Sequence, residues 1–255
     1  MTNEVSYATM GKMKQSKTGQ CVYCGRIRPI TEDHVPPKSL FAKPRPSNLI
    51  KVPSCSECHG ENKQVSQDDE YFRLMLTLRD DVAEHPDVKE VLPTVIRSLA
   101  RPDKVGFKTA LLRNLRKIDL ESLGGVYLGR KDGYNVDLNR LNKVASRITK
   151  GLFYYERGYR LPNEYEVSAF SESGLRDLTE HLKNELKAKI VQPLMSNAPR
   201  TVGNDVFSYR VAYSETDPNA SAWLLLFYQQ VAFLCLTLPR SLTEKEKGQT
   251  KRGQL

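Results

Sequence analysis

Two C-x-x-C pairs constrain this chain more than any other feature of its sequence. The pairs flank residues 25–54 and consist of Cys21, Cys24, Cys55 and Cys58. Each pair can form a tight knuckle, and two knuckles can place four thiolates around one Zn²⁺ at about 2.3 Å. Disulfides are rare in cytosolic proteins, and the βαβ context of redox C-x-x-C sites is missing here. We therefore predict a structural zinc site whose four cysteines leave no coordination position open.

The zinc site is predicted to staple a small module that could not fold by itself. Residues 20–69 are rich in proline and short of helical periodicity, so without a metal they offer too little core. Residues 70–238 carry helical and strand patterns and are predicted to form a mixed helical and antiparallel-sheet domain of unknown role. Residues 1–19 and 239–255 lack apolar periodicity and are predicted to be flexible basic tails. The expected fold class is α+β.

Apolar periodicity and turn residues predict the elements of the larger region. A helix is expected to begin near residue 68, where Asp68 or Asp69 could be the N-cap. Further helices are predicted over residues 88–99, 105–118, 138–150 and 173–190. The Asp132-Gly133 pair predicts a hairpin with strands at residues 126–130 and 134–138. Strands are also predicted over residues 165–170 and 206–213, and on both sides of Gln229-Gln230.

The charge of the chain indicates an anionic partner. The chain has 39 basic and 30 acidic residues, a net charge of +9, and part of that excess lies in the predicted tails. A basic stripe is expected on one face of the helix that begins near residue 138, and its members are Arg140, Lys143, Arg147 and Lys150. Such a stripe can follow a phosphate backbone, although a solvated helix face would show the same spacing.

No association with a membrane is expected. The longest apolar run, residues 222–238, is interrupted by Gln229-Gln230. A membrane span needs about 20 uninterrupted apolar residues. Residues 1–20 are polar and lack the apolar stretch of a signal peptide. We therefore expect a cytoplasmic protein, and the sequence carries no signal for its oligomeric state.

Polar residues inside the zinc-bounded segment supply candidate chemistry. Asp33 offers a hard oxygen ligand suited to Mg²⁺ or Mn²⁺. The neighbouring His34 could act as a general base, because its ordinary pKa of about 6.5 lies near neutral pH. Asn48 lies further along the loop, and His59 directly follows the last cysteine. Each residue alone could be structural, as a turn former, a loop cap or a support for the knuckle. Their joint occurrence in one module favours a catalytic site.

The order of these motifs resembles that of an HNH endonuclease of the ββα-metal type with zinc knuckles. The resemblance covers residues 21–73 and rests on the strings C-x-x-C, D-H-x-x-P, N-L-I-x-V-P-x-C and x-x-C-H. It is strengthened by the string Ser66-Gln67-Asp68-Asp69-Glu70-Tyr71-Phe72-Arg73. The resemblance implies a metal-dependent endonuclease that hydrolyses phosphodiester bonds in nucleic acid, with DNA as the expected substrate.

The resemblance also implies a role for each candidate residue. His34 corresponds to the general base that activates water, and Asn48 to the asparagine that holds the base and its loop in position. Asp33 and His59 correspond to the ligands of a catalytic divalent ion, expected to be Mg²⁺. Asn62 is the alternative ligand, since an asparagine often follows the second C-x-x-C in this subfamily. One helical turn would place Asn62 and His59 on the same face.

Two lysines and one rival function complete the expectations. Lys38 and Lys51 lie near the motif in sequence and could stabilise negative charge on a phosphate. The alternative function is a non-catalytic, zinc-stabilised nucleic-acid-binding or adaptor protein. In that protein the cysteines and the basic stripe would matter, whereas His34 would be dispensable.

Overall fold

The structure is a computed structural model that describes residues 17–59, 62–122, 124–176 and 179–241. Most of the two predicted tails lies outside these residues. The end of the first tail does not: Thr18–Gln20 forms strand β1 and pairs antiparallel with the next strand. The start of the second predicted tail, Pro239, is the last residue of a strand of the C-terminal sheet.

A three-stranded antiparallel sheet followed by a helix forms the N-terminal part. Strand β2 is Ile27–Val35 and β3 is Ile50–Cys55, and the order is β1-β2-β3. Asp33 lies opposite Val52 in the β2–β3 register, and His34 lies opposite Lys51. Helix α1, Lys63–Thr77, follows the second cysteine knuckle. The candidate catalytic pair therefore lies near the end of β2.

Helix α1 begins earlier than the sequence analysis expected. The Asn62 side chain accepts hydrogen bonds from the backbone N–H groups of Gln64 and Val65, so Asn62 is the N-cap. Asp68 and Asp69 lie inside the helix, and the prediction that one of them is the N-cap was wrong. The helix also runs across the predicted domain boundary between residues 69 and 70. That boundary therefore does not separate two structural units.

The middle of the chain contains three helices and a two-stranded hairpin. The predicted helix at residues 88–99 is confirmed as α2, Pro86–Leu99, which His85 caps by accepting a hydrogen bond from the Asp87 N–H at 3.2 Å. Helix α3 is Val105–Arg113, shorter than predicted, because strand β4, Leu115–Glu121, follows it. Helix α4, Leu138–Arg157, is longer than predicted and ends at Gly158 in the left-handed conformation.

The predicted hairpin between residues 126–130 and 134–138 was wrong, and a different hairpin forms in this region. Strand β5, Tyr127–Tyr134, runs through Asp132-Gly133 and pairs with β4. The connection instead lies between Glu121 and Tyr127, where the Ser122 hydroxyl accepts a hydrogen bond from the Val126 N–H at 3.1 Å. Asp132-Gly133 does not form a turn because both residues pair with β4. Strand β4 includes residues 115–118, which the sequence assigned to a helix.

A five-stranded antiparallel sheet forms the C-terminal layer and confirms the predicted strands. Its order is β6-β10-β9-β8-β7. The strands are β6 Tyr165–Ser171, β7 Arg200–Val202, β8 Phe207–Tyr213, β9 Ser221–Phe227 and β10 Val231–Pro239. The helix predicted at residues 173–190 is divided into α5 Glu172–Arg176, α6 Glu180–Leu186, a π-helical turn Lys187–Val191 and α7 Gln192–Ser196.

One hydrophobic core joins the two predicted regions. Phe72 of α1 packs against Phe227 and Phe233 of the C-terminal sheet, with ring centroids 5.3 and 5.5 Å apart. The Tyr228 hydroxyl donates a hydrogen bond to the Leu40 carbonyl in the β2–β3 loop at 2.8 Å. Helix α4 packs against both α1 and β6. The α+β class is confirmed, but the N-terminal part, which carries the four cysteines, shares its core with the rest of the molecule.

Within the described ranges, no helix combines the length and the apolar character needed to cross a bilayer.

Candidate functional site

The two cysteine knuckles come together as predicted. Cys21 and Cys24 lie in the turn after β1, Cys55 ends β3, and Cys58 lies in the following turn. The four Sγ atoms all lie within 4.8 Å of one another, and those of Cys24 and Cys55 are 3.8 Å apart. Four sulfur ligands placed tetrahedrally at about 2.3 Å from zinc would be separated by about 3.8 Å. The cluster could therefore hold a metal ion such as zinc.

The backbone of the knuckles favours the thiolate form of Cys21. Burial raises the pKa of the Cys21 thiol, but backbone N–H groups of Cys24, Cys55 and Tyr23 oppose this, and the pKa falls to about 7. Because the thiolate is the form that binds metals, these N–H groups favour metal binding at Cys21. Burial raises the pKa of the Cys24 and Cys58 thiols.

Beside the cysteine cluster, a cleft of about 340 Å³ collects the candidate catalytic residues. Asp33 and His34 reach it from β2, and His59 reaches it from the turn after Cys58. The opposite wall is one face of α1, formed by Ser66, Asp69, Glu70 and Arg73. Further lining residues come from the β2–β3 loop and from the segment around α2 and α3: Pro37, Lys38, Ser39, Ser98, Arg101 and Lys104.

Asp33 and His59 approach each other in the manner of two ligands on one ion. Asp33 is 9% exposed; its Oδ2 accepts a hydrogen bond from the Tyr23 hydroxyl at 2.8 Å, and its Oδ1 accepts one from the His34 N–H at 2.9 Å. His59 Nδ1 lies 3.0 Å from Asp33 Oδ1 but lacks hydrogen-bond geometry, and it has no hydrogen-bond partner among the described residues. Two adjacent ligands of an octahedral Mg²⁺ at about 2.1 Å would also lie about 3.0 Å apart.

His34 adjoins this pair and is suited to accept a proton. Burial lowers the pKa of the His34 imidazole below its ordinary value, and the charges of Lys38 and Lys51 lower it further, against the opposing effect of Asp33 and Glu32. The imidazole is therefore neutral at neutral pH. A neutral imidazole has a free nitrogen lone pair, which a general base requires.

Asn48 lies in the β2–β3 loop, but its side chain points to a different partner from the one expected. Its amide donates a hydrogen bond to the Thr201 carbonyl at 3.2 Å and accepts one from the Gly203 N–H at 3.1 Å. It thus fastens the loop to the C-terminal sheet. Asn48 was also expected to hold the base. In the described part of the chain, no hydrogen bond joins Asn48 to His34.

Asn62 is occupied by helix capping. Besides accepting from two N–H groups of α1, its amide donates a hydrogen bond to the Glu57 carbonyl at 3.0 Å. It does not line the cleft, whereas His59 does. Of the two alternative ligands, His59 is the one that the geometry brings to Asp33.

The predicted basic stripe on α4 is largely engaged in internal contacts. Arg140 forms an ion pair with Asp68 at 2.7 Å and stacks on Tyr71, and Arg147 forms an ion pair with Asp69. Lys150 is half-buried, and burial lowers its pKa, with Arg240 and Arg160 adding to the effect. Lys143 is exposed. The prediction of a free stripe along a phosphate backbone was therefore wrong, because this face of α4 packs on α1.

The two lysines near the motif have different surroundings. Lys38 is exposed and lines the cleft. Lys51 is also exposed, but its ammonium pairs with Glu32 at 2.8 Å, and it does not line the cleft. The structure therefore places only Lys38 of the two in the lining of the cleft, although the Lys51 charge also acts on His34.

The cleft-facing side of α1 was missed as a set, although the sequence contains its signal. Ser66, Asp69, Glu70 and Arg73 recur at the spacing of one helix face. The Glu70 carboxylate accepts hydrogen bonds from the Ser98 hydroxyl and the Lys104 ammonium. Burial raises the pKa of Asp69 to about 6, although Arg147 opposes this. The spacing could have been recognised had the helix been predicted to begin at residue 63.

Comparison with protein-family models, curated proteins and solved structures found no match for this chain.

Proposed function

We propose that this protein is a metal-dependent endonuclease that hydrolyses phosphodiester bonds in nucleic acid, with DNA as its substrate. The observation that carries the proposal is the convergence of Asp33 Oδ1 and His59 Nδ1 at 3.0 Å in a cleft that His34 also lines. A buried ring nitrogen without a hydrogen-bond partner, next to a carboxylate oxygen, is a natural pair of ligands for a divalent cation.

Each residue of the chain has a defined task in this proposal. Asp33 and His59 would hold the divalent ion, and Tyr23 orients the Asp33 carboxylate through its hydroxyl. Once bound, the ion would act as a Lewis acid on the phosphate and on the leaving oxygen. The neutral imidazole of His34 takes the proton of the attacking water. Lys38 adds positive charge at the edge of the cleft.

The cysteine cluster has a structural task. Zinc bound by four cysteines has no free coordination position, so it cannot itself activate a substrate. Since Cys58 immediately precedes His59 and Cys21 lies two residues before Tyr23, the cluster fixes the chain on both sides of Asp33. Metal binding there would hold His59 and Tyr23 at their observed distances from that carboxylate.

A plasmid-cleavage assay with two histidine variants tests the proposal. The wild type, His34→Ala and His181→Ala are each incubated with Mg²⁺, with Mn²⁺ or without an added divalent ion, and the zinc content is measured. His181 is an exposed histidine on α6 and serves as the matched control. We expect metal-dependent cleavage by the wild type and His181→Ala, and a loss of at least about 100-fold for His34→Ala at unchanged zinc content.

Two results would contradict the proposal. Equal cleavage by His34→Ala and the wild type would remove His34 from the chemistry. Binding of DNA with one zinc per chain, but without cleavage in any metal, would instead support the non-catalytic zinc-stabilised binding protein.

A further inference from the structure

A second groove adjoins the candidate catalytic cleft. It has a volume of about 460 Å³ and lies between the β2–β3 loop and α2. Ser39 and Arg73 line both the cleft and this groove. The two depressions therefore share a wall, and a chain bound in one can continue into the other.

Arg73, in the shared wall, is a cation that the protein compensates only in part. Its Nε is buried and has no hydrogen-bond partner in the ranges that the structure describes. Burial lowers the pKa of its guanidinium, which Glu70 only partly offsets. The Glu70 carboxylate is already occupied by Ser98 and Lys104. A partly buried cation with incomplete pairing is costly, and an anion bound against this guanidinium in the groove would lower that cost.

The groove beyond Arg73 is strongly basic. Lys43, Arg45 and Arg97 line it and are exposed, and Glu90 is its acidic lining residue. Arg45 donates its Nε hydrogen to the Lys38 carbonyl at 3.1 Å, and Arg97 donates its Nε hydrogen to the Pro93 carbonyl at 3.3 Å. These bonds fix the stems of both arginines. The lining of the groove thus contains four cations, including Arg73, against one carboxylate.

We propose that this groove binds the backbone phosphates next to the scissile bond and sets the path of the nucleic-acid strand, with Arg73, in the wall shared with the catalytic cleft, as the first of its phosphate contacts. The inference rests on the proposed function and adds the direction in which the substrate leaves the cleft. Guanidinium groups suit this role because their planar N–H groups match phosphate oxygens. The path lies over the β2–β3 loop and α2, not over α4.

Salt-dependent binding tests the groove independently of cleavage. His34→Ala protein is titrated against a fluorescein-labelled DNA duplex at several salt concentrations, and the slope of log K against log salt is determined. The slope is negative, and each lost phosphate contact should lower its magnitude by about 0.9. We expect Arg73→Met to lower it by about 0.9 and Lys43→Ala/Arg97→Ala by about 1.8. Lys108→Ala/Lys187→Ala removes the same charge from exposed positions that do not line the groove, and should leave the slope unchanged.

The variant Lys43→Ala/Arg97→Ala keeps the test valid if Arg73→Met fails to fold, because both of its positions are exposed. An unchanged slope for Lys43→Ala/Arg97→Ala, or an equal decrease in the Lys108→Ala/Lys187→Ala control, would overturn the groove. The failure of the groove is distinguishable from failure of the nuclease. If the wild type cleaves DNA but binding does not depend on the groove, only the proposal for the groove is contradicted. If binding depends on the groove but no cleavage occurs, only the proposal of nuclease activity is contradicted.

Discussion

At the scale of single residues, the site depends on how one carboxylate is held. Asp33 uses one oxygen to accept from the Tyr23 hydroxyl and turns the other towards His59. Burial and the nearby Asp33 charge raise the pKa of Tyr23 well above its ordinary value, so its proton stays on the hydroxyl. Tyr23 is thus a permanent donor that sets the orientation of Asp33. It lies between two zinc-knuckle cysteines, where the sequence offered no reason to assign it a task in the site.

Replacing Tyr23 by phenylalanine should weaken the binding of the catalytic ion. The loss of a hydrogen bond that orients a metal ligand typically costs about 10- to 100-fold in metal affinity or activity. We expect Tyr23→Phe to need a correspondingly higher Mg²⁺ concentration for half-maximal cleavage, at unchanged zinc content. Tyr155→Phe, at an exposed tyrosine of α4, is the matched control. Half-maximal cleavage at the wild-type Mg²⁺ concentration would exclude this role for Tyr23.

At the scale of elements, the contact between α1 and α4 positions the wall of the cleft that α1 forms. Asp69 faces the cleft and is paired with Arg147 of α4, while the preceding Asp68 is paired with Arg140. Spacing along the sequence correctly placed the two arginines on one face of a helix. It could not show that this face meets two carboxylates of α1, because both partners lie more than 70 residues away.

Removing Arg147 should destabilise the fold strongly. Arg147→Met leaves the Asp69 carboxylate buried without its partner, which costs about 3–5 kcal/mol in the free energy of unfolding. The exposed Lys143 gives a matched control, since Lys143→Met should change that free energy by less than about 0.5 kcal/mol. Urea denaturation measures both values, and equal stability of the two variants would contradict the prediction.

The loss caused by Arg147→Met should depend on pH. Arg147 lowers the pKa of Asp69, so its removal moves that pKa further above the present value of about 6. A carboxyl whose pKa is higher in the folded than in the unfolded state destabilises the fold most where it must ionise, at alkaline pH. The destabilisation should therefore shrink as the pH falls towards the ordinary aspartate pKa. A loss that stays constant from mildly alkaline to mildly acidic pH would contradict this account.

At the scale of the whole molecule, the N-terminal part and the C-terminal sheet are one structure. Phe72 of α1 packs on Phe227 and Phe233, and the Tyr228 hydroxyl bonds to the carbonyl of Leu40. Asn48 adds a further link between the β2–β3 loop and the sheet. The larger part of the chain is therefore needed to support the walls of the candidate cleft.

A fragment that ends with α1 should consequently not fold as a nuclease. Truncation after Thr77 exposes the apolar face of α1, including Phe72, and zinc can order only the knuckles next to it. We expect the fragment to bind zinc, to give a poorly dispersed NMR spectrum and to show no cleavage. The full chain should give a well-dispersed spectrum. A folded fragment with metal-dependent cleavage would show that the N-terminal part is an independent domain.

The sequence by itself determined the local features of this protein. The C-x-x-C spacing predicted the cysteine cluster, alternation predicted β8, and the apolar run around Gln229-Gln230 predicted β9 and β10. Asp33 and His34 are adjacent in the sequence and line one cleft. These features depend on residues close in the chain, where covalent geometry limits the arrangements.

Only the tertiary structure decided which charges are free and which surface continues the cleft. Arg140 and Arg147 of α4 are neutralised by α1, while Arg73 is left without a hydrogen-bond partner for its Nε among the described residues. Both outcomes follow from helix packing between distant segments. The energy of a charge depends on what packing places beside it, and a periodic pattern along one helix does not contain that information.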